Sequence, residues 1–94
     1  MPQFDKFIKF TEMLSDAENE LGIAHLSELD KHILYFLEKN RLEGRFLSFE
    51  ELQQTMETPR ATLYRHVQNL VEKGLVSKEK DPQDGRRNII TVTI

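Results

Sequence analysis

Cysteine is absent from this 94-residue chain, which excludes disulfides and thiolate zinc sites and fits a reducing compartment. No run of about 18 apolar residues occurs, so nothing in the sequence is set to span a membrane. The first ten residues, MPQFDKFIKF, hold neither the apolar block nor the small-residue cleavage site of a secretion signal. The expected location is the cytoplasm. Glycine-rich phosphate loops and nucleophile elbows are missing as well. His25, His32 and His66 lack metal-ligand spacing, and paired carboxylates such as Glu50-Glu51 fall on faces expected to be exposed. A chain this short also has little room for an enclosed active site. The expectation is a protein that is not an enzyme and uses no cofactor or metal.

What is present fits one soluble globular domain: 38% hydrophobic and 31% charged residues, with a net charge of −3. That average hides two unlike parts. Residues 1–58 carry six Lys/Arg and twelve Asp/Glu, net −6; residues 59–94 carry seven and four, net +3. A polyanion responds to the local field of the surface that faces it, so the C-terminal third is compatible with nucleic acid. Chance clustering of charge is the plain alternative.

Residues 3–20 read as a helix, with Phe4, Phe7, Ile8, Met13, Leu14, Ala17 and Leu21 on one broad stripe and Gly22 just past its end. Ser27 is an N-cap for a second amphipathic helix carrying Leu29, Ile33, Leu34 and Leu37, ending near Lys39; Asn40–Arg45 reads as loop. Ser48 and Glu51 form a capping box for a third helix with Phe49, Leu52 and Met56 on its apolar side, and Phe46-Leu47 before it can add one short strand pair. After Met56-Glu57-Thr58 a fourth helix begins, with Thr58 as N-cap and Pro59 at the first helical position. Leu63, Val67 and Leu70 are its buried row, and Gly74 ends it. The period then changes. Residues 75–80 and 86–94 read as strands around the turn Asp81-Pro82-Gln83-Asp84-Gly85. Leu75, Val76, Ile89, Ile90 and Val92 can hold the hairpin on the helices. The expected fold is mainly α with a small β-hairpin wing (α+β): a winged helix-turn-helix at 23–94 behind an N-terminal helix at 1–22.

The two helices joined by about three residues, with a hairpin directly after, are the parts of a DNA-reading unit. The segment SFEELQQTMETPRATLYRHVQNLVEKGLVSKEKDPQDGRRNIITVT resembles the DNA-binding region of MarR-type transcription regulators. The points of likeness are the step Leu70-Val71-Glu72-Lys73-Gly74-Leu75-Val76, the wing Asp81-Pro82-Gln83-Asp84-Gly85-Arg86, and the closing Thr91-Val92-Thr93. Together they cover roughly residues 24–93 in order. The resemblance implies a sequence-specific regulator of transcription that binds double-stranded DNA, with the fourth helix in the major groove and a wing arginine entering the minor groove.

The residues agree with that chemistry on their own terms. The outer face of the fourth helix carries Arg60, Thr62, Arg65, Gln68 and Asn69, with Tyr64 at its margin and no acid between Glu57 and Glu72. Arg reads guanine, Gln and Asn read adenine, and hydroxyls reach phosphates or bases. Residues at the start of such a helix reach the bases first, which selects Arg60, Ala61, Thr62 and Arg65; Thr58, the expected N-cap, belongs to the wider DNA-binding set. A merely polar surface is the alternative. Arg86 and Arg87 serve either the minor groove or local pairs with Asp81 or Asp84, and the two arginines can divide these roles. Lys78 and Lys80 are phosphate contacts or exposed strand charges. His66 is expected at the edge of the core.

MarR-type proteins typically continue past the wing into helices that build the dimer, whereas this sequence stops at Ile94. The N-terminal helix, with Phe4, Phe7, Phe10 and Met13, is then the expected seat of a homodimer, unless that stripe packs on its own domain; the terminal strand Ile89–Ile94, pairing across an axis, is the alternative seat. A winged-helix module that binds protein and not DNA is the alternative function, suggested by the acidic first 58 residues.

Overall fold

Local capping signals account for most of the element boundaries. The computed structural model describes residues 2–94, and side chains from Phe4 onward. Four helices and a hairpin follow in the order α1 (Pro2–Leu21), α2 (Glu28–Leu42), α3 (Phe49–Met56), α4 (Arg60–Glu72), β1 (Val76–Lys80) and β2 (Asn88–Val92). Gly22 leaves α1 with φ 73°, a backbone state that costs glycine little. Ser27 caps α2 by accepting from the Asp30 amide at 3.1 Å. At α3 the capping box is complete: the Glu51 amide donates to Ser48 Oγ at 3.2 Å, and the Ser48 amide donates to Glu51 Oε1 at 3.0 Å. Ser48→Ala is expected to cost about 1 kcal/mol of stability, read as a lower urea midpoint; an unchanged midpoint would show that this cap adds nothing.

Two boundaries differ from the expectation. α2 does not end near Lys39 but runs three residues further, to Leu42. Arg41 pairs with Glu38 one turn back, and its position in the last turn suits the negative end of the helix dipole. At α4, Pro59 and not Thr58 occupies the N-cap, and no side chain caps the helix. The Thr58 hydroxyl instead donates backward to the Met56 carbonyl at 3.3 Å. Pro59, at φ −55° and ψ 138°, still supplies the first helical acceptor, for the Leu63 amide at 3.0 Å.

α2, α3 and α4 enclose one core with the hairpin laid against it. Ile33, Leu34 and Leu37 from α2, Leu52 from α3, and Leu63, Val67 and Leu70 from α4 meet Leu47, Val76 and Ile90. β1 and β2 pair antiparallel with Lys78 opposite Ile90. Gly74, at φ 74°, turns the chain from α4 into that hairpin. Leu47 adds a single antiparallel bridge to Ile90, the short strand pair expected near Phe46-Leu47. A two-stranded hairpin is marginal alone; here Ile89 and Ile90 are buried and tie it to the helices.

α1 stands apart from this body. Phe4, Phe7, Phe10, Met13 and Leu14 are all exposed, so the stripe does not pack on its own domain. The molecule is accordingly long, 53 × 25 × 25 Å. An ion pair links α1 to α2: Lys31 Nζ lies 2.8 Å from Glu18 and 3.0 Å from Glu28. Its hydrogen bonds to Glu18 first and Glu28 second hold the ammonium above the usual lysine range.

Candidate nucleic-acid interface

α3 and α4 are joined by three residues, Glu57, Thr58 and Pro59. Glu57 makes the reversal by taking the left-handed conformation, φ 52° and ψ 36°, which is uncommon for a residue with a side chain. Burial of Leu63, Val67 and Leu70 on one face of α4 turns the intervening positions outward. Arg60, Ala61, Tyr64 and Arg65 are exposed, while Thr58, Thr62, Gln68 and Asn69 are half-buried. Arg60 through Val71 contains no acid, and the uncapped N–H groups of the first turn add partial positive charge to this surface.

Several of these side chains are already oriented. Arg60 lies over the Phe49 ring at 5.0 Å and within 3.4 Å of Glu50 on α3. Phe49 in turn meets Tyr64 edge-on, with ring centroids 6.0 Å apart. Lys78 of β1 donates to Gln68 Oε1 at 2.6 Å, and its ammonium sits 5.3 Å from the centre of the Tyr64 ring. Lys80 is exposed at the end of β1. Phe49, Arg60, Tyr64 and Lys78 line an open cleft of about 450 Å³ between α3, α4 and the hairpin.

The two wing arginines diverge. Arg87 is bound inward: Nη1 donates to Asp81 Oδ2 at 2.7 Å, Nη2 donates to the Phe46 carbonyl at 3.0 Å, and the group also pairs with Glu51. Arg86 projects outward, 94% exposed, with a single loose contact of 3.4 Å to Asp84. His66 occupies the expected core edge. Its Nδ1 lies 2.8 Å from Oδ1 of Asp30, a buried carboxylate on α2.

Three features here were not read from the sequence. Phe49 serves as a platform for Arg60, Glu51 has a second role beside its cap, and Asp30 ties α2 to α4. The last two pairs are long-range, and only the folded chain brings them together. The Phe49 platform had a local signal, an aromatic at the start of α3 beside the start of α4. Among the described residues there is no group of three or more His, Asp or Glu placed to hold a metal ion, and no helix is long and apolar enough to cross a membrane.

A model of the MarR family matches residues 26–87, from the turn before α2 to the inward-bound wing arginine. The chain belongs to the MarR family. Known structures agree on the fold. MepR of S. aureus bound to ethidium bromide superposes with a TM-score of 0.72 at 22% identity, covering 99% of this chain and 65% of that one. The S. aureus MepR–DNA complex gives 0.61 at 22% identity, covering 99% and 66%. The adhesin competence repressor AdcR of Streptococcus pyogenes gives 0.60 at 23% identity, covering 98% and 60%. This MarR-family chain thus spans less than two thirds of the length of these structures. No curated protein matches it.

Proposed function

We propose that this chain is a cytoplasmic regulator of transcription that binds double-stranded DNA sequence-specifically, with α4 in the major groove and the wing directed to the minor groove. The observation that carries this reading is the surface of α4. It presents Arg60, Thr62, Arg65, Gln68 and Asn69 without one acid, beside a wing whose Arg86 is 94% exposed. MepR, which has this fold, is recorded in complex with DNA.

Roles follow from position. Arg60, Ala61, Thr62 and Arg65 lie near the start of α4, where side chains reach base edges, and Thr58 lies just ahead of them. Gln68 and Asn69 lie one to two turns further along. Lys78, engaged with Gln68 and Tyr64, orients that part of the surface, and Lys80 is free to meet phosphate. Residues 23–94 form the DNA-reading unit. Residues 1–22 form a dimerisation element, so that two copies read two half-sites; one winged helix alone makes few contacts against genomic competitor DNA.

Selection from a random duplex pool followed by mobility-shift titration tests the reading. Arg60→Ala and Arg65→Ala should each weaken binding to the selected site by about 1–3 kcal/mol. Wild-type affinity in both variants would remove α4 from the interface. Failure of the wild type to bind any duplex at low salt would leave the protein-binding reading, which the acidic residues 1–58 favour.

A further inference from the structure

We propose that Lys78 makes Gln68 a reader of guanine and not of adenine, by occupying the carbonyl oxygen of its side-chain amide and leaving only hydrogen-bond donors for a base. This deepens the DNA-binding reading above and rests on it. By residue type alone Gln suits adenine, because its amide offers an acceptor to the N6 amino group and a donor to N7. In this fold the acceptor is already in use: Lys78 Nζ donates to Gln68 Oε1 at 2.6 Å.

Chemistry fixes which way that amide points. An ammonium has three donors and no acceptor, so only the oxygen of Gln68 can face it. Turning the amide over would set donor against donor. The ammonium has a second anchor, the Tyr64 ring, whose centre lies 5.3 Å away and whose face attracts a cation. Tyr64 and Gln68 are four residues apart, which puts them on one side of α4 as neighbours, and together they seat the charge. Tyr64 is itself met edge-on by Phe49 of α3. The backbone of Lys78 is steadied from the other direction: it pairs with Ile90, which is buried and bonded to Leu47. Side chains of α3, α4 and β1 thus act on one amide.

What remains for a ligand is a set of donors. Gln68 Nε2 carries two N–H groups, and the ammonium beside Oε1 keeps two of its three. Guanine shows two acceptors, O6 and N7, on its major-groove edge, whereas adenine shows one acceptor and one amino donor. The adenine amino group would meet a positive charge beside the one oxygen it needs. A donor facing a donor in an interface leaves both unpaired, which costs more than a missing contact. Gln68 lies about two turns along α4 from Arg60, half-buried, with Lys78 exposed next to it. Lys78 is therefore a positioning residue for Gln68, besides any phosphate it meets.

Parallel selections from a random duplex pool, with the full chain as wild type, Lys78→Met and Lys78→Arg, test the assignment. Met keeps the stem of Lys78 and removes its charge. One base position should read guanine with the wild type and adenine with Lys78→Met, because the freed amide can then serve adenine with both its groups. At that position, exchanging G·C for A·T should weaken wild-type binding about ten- to a hundredfold and should strengthen binding by Lys78→Met. Lys78→Arg, which still only donates, should keep guanine. The double variant Lys78→Met/Gln68→Ala should lose the adenine preference, which assigns it to Gln68. Because Lys78 is exposed, the melting temperature of Lys78→Met should stay wild-type, so a changed preference is not a folding defect. If Lys78→Met selects the wild-type site and merely weakens every duplex alike, with a shallower salt slope, Lys78 is a phosphate contact and the proposal is overturned. An adenine preference in the wild type that Gln68→Ala abolishes overturns it as well. Both of those results leave the DNA-binding reading standing. A wild type that binds no duplex at low salt overturns that reading and this proposal together.

Discussion

Leu70→Ala is expected to lower the unfolding free energy by about 2–5 kcal/mol. Leu70 is fully buried where α4 meets the rest of the core. The loss combines the transfer energy of the missing carbons with the cavity that the surrounding helices fail to close. In a domain of this size total stability is about 5–15 kcal/mol, so the variant retains a fold with little margin. Thermal unfolding should show a drop on the order of 10–30 °C. A loss below about 1 kcal/mol would mean that α4 is not held by the core described above, and that the outward orientation of Arg60 and Arg65 has another origin.

The second large effect separates the two wing arginines. Arg87→Ala is expected to destabilise the fold by about 1–3 kcal/mol. That is less than full loss of a buried ion pair, because the guanidinium is one-third exposed to screening solvent. The variant leaves the buried Asp81 carboxylate without its cation and the Phe46 carbonyl without its donor. Arg86→Ala, which removes one loose contact, should leave stability within about 0.5 kcal/mol. On DNA the order reverses: Arg86→Ala should make the slope of log affinity against log salt shallower, since one fewer counterion is displaced. Measuring both variants by urea unfolding and by salt-dependent mobility shift decides the matter. An unchanged salt slope in Arg86→Ala and in the double variant, at equal fold stability, would assign both arginines to the protein's own structure.

Most of the architecture was legible because each element announces itself locally. Ser27, the Ser48/Glu51 box and Gly74 mark ends through contacts within four residues, and the apolar rows at 33, 34, 37 and 63, 67, 70 carry helical periodicity. The misplaced boundaries are where two local signals compete. Thr58 and Pro59 are both good helix starters, and the left-handed Glu57 shifts the start by one residue. Asn40 and Gly44 suggested a loop, while the Glu38–Arg41 pair extends the helix over it. Fates that depend on distant partners were not legible. Spacing alone offers Asp81 and Asp84 equally to Arg86 and Arg87, and the choice is made by Phe46 and Glu51, about 40 residues away in the chain. The exposure of α1 was open for the same reason: an amphipathic helix shows that it has an apolar face, not what lies against it.

The wing is anchored at its base and light at its tip. Its base carries the Ile90–Leu47 bond at 2.9 Å and the clasp of Arg87 on Phe46. The tip is closed by four local bonds: Asp81 amide to Arg87 carbonyl, Arg87 amide to Asp84 carbonyl, and the Gln83 and Arg86 amides to the Asp81 and Asp84 carboxylates. Arg86 sits beyond that clasp with its side chain in solvent. Ordering a long side chain and the residues beside it on a ligand costs conformational entropy, about 0.5–1.5 kcal/mol for the side chain alone. The clasp keeps the backbone share of that cost small, because the tip is short and already closed. A sequence change that loosened Arg87 would therefore act at a distance on affinity. In the proposed DNA-binding role, it would leave Arg86 itself unchanged but turn an arm held at its base into one that must be ordered on each encounter.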